Sequence, residues 1–211
     1  MLIPRTPNII RHFFPKILFR LPQSQPTVYL TFDDGPQPEV TPFVLEHLKA
    51  FQFHATFFVL GKHVQQYPEL TQEVLQAKHR IGNHTQNHLC GWKSSDEKYL
   101  QNIQEADQSL NPFTSQKKLF RPPYGKMRLS QIRKISYTHQ IVLWDVLSED
   151  YNLQLSEERI LKKLKKQTRN GSIIVFHDSQ KSYEKLKNIL PSYLHFLREK
   201  GYVSKAIPEC F

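Results

Sequence analysis

The stretch that decides the fold is TVYLTFDDGP at residues 27–36. Its first six residues alternate in polarity and are rich in β-branched and aromatic side chains, a pattern that predicts a β-strand. Two aspartates follow directly, and Gly35 and Pro36 then favour a turn. A parallel barrel places its reactive groups at the carboxyl ends of its strands, and the two aspartates lie at such a strand end.

The same arrangement recurs along the chain, with a reactive motif after a short apolar run. These motifs are HTQNH at 84–88, RPPYG at 121–125, WDVLSEDY at 144–151 and IIVFHD at 173–178. Helical patterns alternate with the runs, so the sequence predicts a parallel α/β barrel of about seven strands in one domain. Within it, Thr41 is expected to cap a helix, and residues 140–146 are expected to form one strand.

Three residues have the types and spacing of a metal site. His84 and His88 are four residues apart, which places two rings on one face of a helical turn. The carboxylate of Asp34 would complete three ligands and leave a position for water. This donor set suits Zn²⁺, with Co²⁺, Ni²⁺, Mn²⁺ and Fe²⁺ as alternatives. Cys90 could approach the ion, but a small buried thiol is the favoured interpretation. Histidines outside these motifs, such as His63, are predicted to be surface or packing residues.

On these five motifs the chain resembles the polysaccharide deacetylase family, a group of metal-dependent carbohydrate esterases. The match runs from about residue 27 to residue 203. The resemblance implies an irregular (β/α)7 barrel of parallel strands, with the active site at the C-terminal ends of the strands. It divides the chain into an N-terminal segment, residues 1–26, and a catalytic domain, residues 27–211.

The resemblance also implies catalytic roles for five residues. Asp33 is the catalytic base, and Arg121 holds it in place. His177 is the general acid, and Asp150 orients it. The backbone N–H of Tyr124 helps to stabilise the oxyanion. The ligands implied for the metal ion are the three residues already identified by their spacing.

The substrate pocket implied by the resemblance includes Pro36, Tyr151 and Val175. The family usually has tryptophan at the position of Tyr151 and leucine at that of Val175, and these side chains help to enclose the acetyl methyl group. It also has an aspartate where this chain has Leu147. Tyr151 and Val175 keep one aromatic and one aliphatic wall, so an acyl pocket is still expected.

The reaction implied by the resemblance is hydrolysis of N-acetyl groups of a glycan, with release of acetate. O-acetyl groups are an alternative target of the same chemistry. Two other functions stay open: a metal-dependent amidohydrolase acting on a non-glycan C–N bond, and a catalytically silent glycan-binding protein. The presence of a base, an acid and three ligands argues against the silent protein.

The composition is strongly basic. The 211 residues include 29 Lys and Arg against 19 Asp and Glu, a net charge of +10. This charge favours an anionic polymer, a cell-wall glycan or a membrane surface as a partner. Nucleic acid is not expected, because no RNA-binding motif, zinc finger or helix-turn-helix signature is present. Two cysteines give no disulfide framework, and the sequence leaves the oligomeric state open.

The N-terminal segment allows two interpretations. Its apolar residues recur with helical period, but basic residues and Pro15 interrupt them. The favoured interpretation is a segment that closes the bottom of the barrel, and the alternative is a basic arm at a membrane interface. No small-residue cleavage site follows, and no run approaches the roughly 20 apolar residues of a membrane span. A cytoplasmic or peripherally membrane-associated location is therefore expected.

Overall fold

The computed structural model describes residues 13–113 and 118–208, and one curled parallel sheet forms its centre. Eight strands follow one another in the order β1-β6-β5-β4-β3-β2-β8-β7, and β9 pairs with β2 beside this path. The pairs between these strands are all parallel, so the predicted α/β barrel is confirmed as a curled half-barrel. The strands are β1 Ile17–Leu18, β2 Thr27–Asp33, β3 Ala55–Val59, β4 Arg80–Asn83, β5 Leu119–Phe120, β6 Gln140–Val142, β7 Val146–Leu147, β8 Ile173–His177 and β9 Val203–Ser204.

The helices lie in the chain segments between successive strands, and they cover the sheet. Two short 3₁₀ helices, Gly91–Lys93 and Pro123–Gly125, lie in the loops at the carboxyl ends of β4 and β5. None of the helices in the described parts of the chain is both long enough and apolar enough to cross a bilayer. The α-helices are α1 Val40–Phe51, α2 Gly61–Gln66, α3 Pro68–Gln76, α4 Asp96–Leu110, α5 Leu129–Ile135, α6 Glu157–Gln167 and α7 Tyr183–Glu199.

The strand predicted at residues 140–146 is wrong in one respect, because it is two strands. β6 pairs with β1 and β5 near one end of the sheet, whereas β7 pairs with β8 at the other end. Between them the backbone changes partners: the N–H of Leu143 donates to Leu18 at 2.8 Å, and the N–H of Asp145 donates to Ile173 at 2.9 Å. The half-barrel is open at this point, so one short segment serves both of its edges.

The described part of the N-terminal segment lies across the two ends of the sheet. β1 pairs with β6, and the N–H of Leu21 donates to the carbonyl of Gly171, just before β8, at 2.8 Å. Ile17 and Phe19 are buried against the barrel. Residues 1–12, on which the predicted membrane arm depends, lie outside the described residues, and the domain boundary at residue 27 stays a prediction.

β2 is the longest of the fully buried strands that end at the site. All seven of its residues are buried, as expected for a parallel strand covered on both faces. The ring of Phe32 stacks between those of Phe57, at 5.1 Å, and Phe176, at 5.9 Å, on the strands to either side. Full burial of each such side chain stabilises the fold by about 1.5–3 kcal/mol. This packing fixes the depth at which the next residue, Asp33, enters the site.

Serine caps start two of the helices, whereas the cap predicted at Thr41 is wrong. Ser156 accepts a hydrogen bond from the N–H of Arg159 at the start of α6. α1 instead begins at Val40 without a side-chain cap. The hydroxyl of Thr41 is buried, and it donates to Asp178 at 2.7 Å. The hydroxyl of Thr41 thus bonds to a side chain distant in sequence and does not cap the helix.

We expect His79 to make the fold sensitive to acid. Its Nδ1 accepts a hydrogen bond from the N–H of Ala55 at 3.1 Å, and burial lowers its pKa from 6.5 to about 4. The unfolded chain therefore binds a proton on this ring below pH 6.5, whereas the folded chain does so only near pH 4. The contribution of the neutral ring to stability, present above pH 6.5, is lost as the pH falls towards 4. Urea unfolding between pH 7 and pH 4 should show a shallower loss in His79→Asn than in wild type.

The control for this measurement is His195→Asn, which removes an exposed histidine of α7. It should leave the slope of unfolding free energy against pH as in wild type. An unchanged slope in His79→Asn would contradict the assignment.

Candidate active site

The strand register places two predicted catalytic residues side by side. Asp33, the last residue of β2, lies opposite His177, the last residue of β8. Because parallel strands end at the same edge of a sheet, the distant motifs open into one cavity of about 490 Å³. The predicted site residues that line it are Asp33, Asp34, His84, His88, Tyr124, Tyr151, Val175 and His177.

Three predicted site residues lie outside the lining of the cavity. Arg121 and Asp150 are fully buried beneath it. Pro36, predicted to belong to the substrate pocket, is buried and is not part of the lining. The N–H of Gly35 donates to the buried Asp178 at 3.1 Å, and this bond holds the turn against the interior of the protein.

Arg121 is the most extensively bonded charge of the site. Its Nη1 donates to Oδ1 of Asp33 and to the hydroxyl of Thr31, both at 2.7 Å. Its other nitrogens donate to the carbonyls of Val142, at 3.3 Å, and Leu143, at 3.1 Å. A fully buried guanidinium is tolerated only when its donors and its charge are matched in this way. The guanidinium therefore fixes the position of Asp33.

The environment of Asp33 suits a general base. Burial raises its pKa to about 6, although the nearby charges of Arg121 and His177 lower it. Most of this carboxyl is therefore ionised at pH 7, yet it is more basic than an exposed aspartate. A base works best when its pKa lies close to the pH at which it operates.

Asp34, His84 and His88 converge as predicted for a metal site. Their donor atoms all lie within 4.8 Å of one another. Oδ1 of Asp34 is 3.5 Å from Nε2 of His84 and 3.2 Å from Nε2 of His88. This oxygen is buried and accepts no hydrogen bond from the described residues. A buried carboxylate oxygen without a donor fits a cation ligand.

The two imidazoles are prepared to bind a cation. Nδ1 of His84 must donate its proton to the carbonyl of Arg121, 2.7 Å away, which leaves the lone pair of Nε2 towards Asp34. Burial lowers the pKa of His84 well below its usual value, and burial also lowers that of His88. Both rings are therefore neutral at pH 7, the form that binds metal ions.

The helical turn predicted for the two histidines is wrong. Residues 84–88 form an irregular loop, in which Thr85 has φ 68° and His88 has φ 58°. Two left-handed residues are unusual without glycine, and they reverse the chain so that the rings of His84 and His88 lie 5.2 Å apart. The two rings lie close together, as their spacing predicted, but the backbone brings them together in another way. Their role as metal ligands stays a prediction.

His177 and Asp150 form a hydrogen-bonded pair. Nδ1 of His177 lies 2.7 Å from Oδ1 of Asp150, and its backbone N–H donates to Oδ2 at 2.8 Å. The hydroxyl of Ser148 donates to the same carboxylate at 2.9 Å. Burial lowers the pKa of His177, but the carboxylates of Asp150, Asp34 and Asp33 together outweigh burial and raise it to about 9. At pH 7 this ring is therefore an imidazolium that can give up a proton.

Apolar side chains form one wall of the cavity. Trp144, Leu147 and Val175 pack together, and Tyr151 joins them at 5.1 Å from the ring of His177, edge to face. Tyr151 and Val175 thus lie in this wall together with Leu147, where the family usually has an aspartate. Sequence reasoning assigned no role to Trp144, although it opens the WDVLSEDY motif.

The RPPYG motif forms the turn below Trp144. Tyr124 has φ 60° and ψ 8°, and its half-exposed ring lies 4.6 Å from that of His88. At Gly125, with φ 63°, a Cβ would lie only 2.5 Å from the indole of Trp144. Glycine is therefore needed for the close approach of this turn to the apolar wall. The predicted role of the Tyr124 N–H at the oxyanion stays a prediction.

Two residues to which the sequence reasoning gave no role in the site hold the turn around Asp34: His63, predicted to be a surface or packing residue, and Asp178. Nδ1 of His63 donates to the carbonyl of Asp34 at 2.8 Å. Asp178 accepts from Gly35 and Thr41, and its own N–H donates to the carbonyl of Asp33 at 3.0 Å. The available signal for Asp178 was the FHD at the end of β8, which repeats the strand-end acid of FDD at residues 32–34.

Comparison with known proteins agrees with this geometry. Residues 20–144 match a protein family described as "Polysaccharide deacetylase". A peptidoglycan-N-acetylglucosamine deacetylase of Bacillus cereus is 32% identical over 188 residues, which cover 88% of each chain. The chain belongs to the polysaccharide deacetylase family. The predicted family and reaction class, removal of N-acetyl groups from a glycan, are thereby confirmed.

Other relatives extend the comparison of this polysaccharide deacetylase. A chitooligosaccharide deacetylase of Azorhizobium caulinodans is 34% identical over 164 residues, covering 75% of this chain and 77% of the relative. The crystal structure of a peptidoglycan N-acetylglucosamine deacetylase superposes with a TM-score of 0.88 at 29% identity, covering 98% of this chain and 97% of that one. Deacetylases of this family depend on a metal ion.

We expect Asp178→Ala to weaken metal binding, because Asp178 holds the turn on which Asp34 lies. Loss of a group that positions a ligand typically lowers metal affinity by about 10–100-fold. Asp178→Asn keeps an oxygen for the Gly35 N–H and should restore most of the affinity. Competition of the apoprotein with a chromogenic chelator measures both values.

Thermal unfolding of the apoproteins provides the control. If Asp178→Ala and Asp178→Asn lose equal stability but differ in metal affinity, the effect acts through the ligand. Equal metal affinity in wild type and Asp178→Ala would show that Asp178 does not position the ligand Asp34.

Proposed function

We propose that this protein is a metal-dependent N-deacetylase that hydrolyses the acetamido group of an N-acetylhexosamine in a peptidoglycan-type or chitin-type glycan. The observation that carries the proposal is the convergence of three donor groups within 4.8 Å in the cavity where Asp33 and His177 lie side by side. A base, an acid and a ligand set in one cavity are what hydrolysis of an unactivated amide needs. The printed names of relatives that act on peptidoglycan N-acetylglucosamine and chitooligosaccharides support the substrate class.

Asp34, His84 and His88 would hold the metal ion. Their two nitrogens and one oxygen suit Zn²⁺, and Co²⁺, Ni²⁺, Mn²⁺ and Fe²⁺ accept similar donors. The unbonded buried Oδ1 of Asp34 and the neutral rings support this donor set. When bound, such a cation polarises the acetyl carbonyl and lowers the pKa of water to about 7.

Asp33 accepts the proton of the attacking water in this mechanism. As the water oxygen bonds to the acetyl carbon, its proton passes to the carboxylate, and a base placed in this way contributes roughly 10²–10⁴-fold to the rate. The bond from Arg121, 2.7 Å long, keeps the carboxylate aimed. Because the pKa of Asp33 is about 6, the carboxylate is present at neutral pH.

His177 donates a proton to the leaving nitrogen as the C–N bond breaks. An amine leaves poorly unless it is protonated, and the imidazolium with a pKa of about 9 supplies that proton at pH 7. Asp150 keeps the ring oriented through the 2.7 Å bond to Nδ1, so Nε2 faces the cavity. The products are acetate and a free amino sugar.

Two further elements recognise the acetyl group. The N–H of Tyr124 donates to the carbonyl oxygen as negative charge develops on it, an interaction typically worth about 3–4 kcal/mol. Val175 and Tyr151, with Trp144 and Leu147, form the apolar wall that receives the acetyl methyl group. A methyl group buried there favours acetyl over a charged or more polar acyl group.

We expect acetate release from N-acetylated oligosaccharides to require metal. The protein loaded with Zn²⁺ should release acetate from chitooligosaccharides and from peptidoglycan fragments. Treatment with a chelator should abolish the release of acetate. Added Zn²⁺ should restore it, because the three ligands bind the metal ion reversibly. Full activity after complete removal of metal, verified by elemental analysis, would overturn the proposed mechanism.

We expect Asp33→Asn to keep metal and lose turnover. The amide has the shape of the carboxylate but cannot accept the proton, so kcat should fall by roughly 10²–10⁴-fold. Metal content should stay near one ion per chain, whereas the comparison variant His84→Ala should lose the ion. A kcat equal to that of wild type would show that another group is the base.

A further inference from the structure

Two basic side chains at the cavity have no carboxylate as an ion-pair partner. Three carboxylates in or next to the cavity lining are already matched with basic side chains. These pairs are Asp33 with Arg121, Glu149 with Lys163, and Asp150 with His177. Asp34 instead faces two neutral imidazoles, with which it would hold the metal ion.

Lys62 and Lys181 are the two cations in question. Both line the cavity, and both are exposed. Within the parts of the chain that the structure describes, neither forms an ion pair with a carboxylate. The ammonium of Lys181 lies 5.8 Å from the centre of the Tyr151 ring, which belongs to the apolar wall. Both ammonium groups are therefore available to a ligand.

The sheet order places these lysines on opposite sides of the catalytic aspartates. Lys62 follows β3, Lys181 follows β8, and β2 lies between these strands. The end of β2 carries Asp33 and Asp34. A sugar whose acetamido group reaches that point therefore has an ammonium group to each side.

We propose that Lys62 and Lys181 form an anion subsite, which selects N-acetylated glycans that carry a carboxylate next to the reacting sugar. This inference rests on the proposed function and makes its substrate class more specific. A lactyl carboxylate on an N-acetylhexosamine has the required chemistry, whereas an unmodified chitooligosaccharide has no anionic group. Each lysine offers a compact charge with three donors on a flexible stem, which tolerates some variation in the position of the carboxylate.

The test uses two substrates that differ only in charge. One is a tetrasaccharide of alternating N-acetylglucosamine and N-acetylmuramic acid with free lactyl carboxylates, and the other is the same molecule with those carboxylates converted to methylamides. The wild type should show a higher kcat/KM on the charged form. Lys62→Gln and Lys181→Gln should each lower the charged-to-neutral ratio about 2–5-fold, as expected for exposed ion pairs.

Salt and a matched variant provide the controls. Because exposed ion pairs are screened, the ratio in wild type should shrink as salt rises from about 0.05 M to about 0.5 M. Lys205→Gln removes an exposed lysine beside the other end of β2, where the N–H of residue 205 bonds to Val28, and it should keep the wild-type ratio. All three lysine side chains are exposed, so folding should not be affected.

The outcomes separate this inference from the proposed function. If both substrates are hydrolysed but the double variant of Lys62 and Lys181 keeps the wild-type ratio, the anion subsite is refuted and the deacetylase stands. If the metal-loaded protein hydrolyses neither substrate, the proposed function fails. Equilibrium binding of the two tetrasaccharides to Asp33→Asn then decides the subsite, because equal dissociation constants with and without the lysines would refute it.

Discussion

The fold and the site both depend on one buried charged side chain, that of Arg121. The guanidinium of Arg121 lies 4.1 Å from the ring of Phe58 on β3, bonds to Asp33 on β2, and donates to the carbonyl of Val142 on β6. Its own carbonyl accepts the proton of His84. Breaking a buried charge pair by removing one partner costs about 3–5 kcal/mol. The contacts that hold these strands around a common centre are thus the same ones that aim the base and set the tautomer of a predicted ligand.

Strand register converts this framework into a pair of groups with opposite tasks. Asp33 and His177 end neighbouring strands at the same level, yet their pKa values are about 6 and about 9. Burial is the largest influence on both groups and raises the pKa of Asp33, whereas at His177 the carboxylates of Asp150, Asp34 and Asp33 together outweigh it. At neutral pH the site therefore contains a carboxylate beside an imidazolium, which is the separation that acid–base chemistry requires.

The order of the motifs could be predicted from the sequence because each functional residue follows an apolar strand, and strand ends alone fix which residues meet. The backbone conformation of the loops between strands could not be predicted from the sequence. His84 and His88 meet through left-handed backbone at Thr85 and His88, which spacing cannot distinguish from a helical turn. Asp178 and His63 act through bonds to distant backbone groups, and such contacts leave no periodicity in a sequence.

The basic composition acts at two distances. Far from the surface, a net charge of +10 attracts any anionic polymer, and salt screens this attraction within about 8–10 Å. Such a field cannot tell one acidic polymer from another. Lys62 and Lys181 differ because each lies at the cavity, within reach of a sugar whose acetamido group has entered it. Only a glycan with a carboxylate on one or both sides of the reacting sugar gains these contacts. The cavity therefore determines selectivity, whereas the net charge affects the rate of encounter.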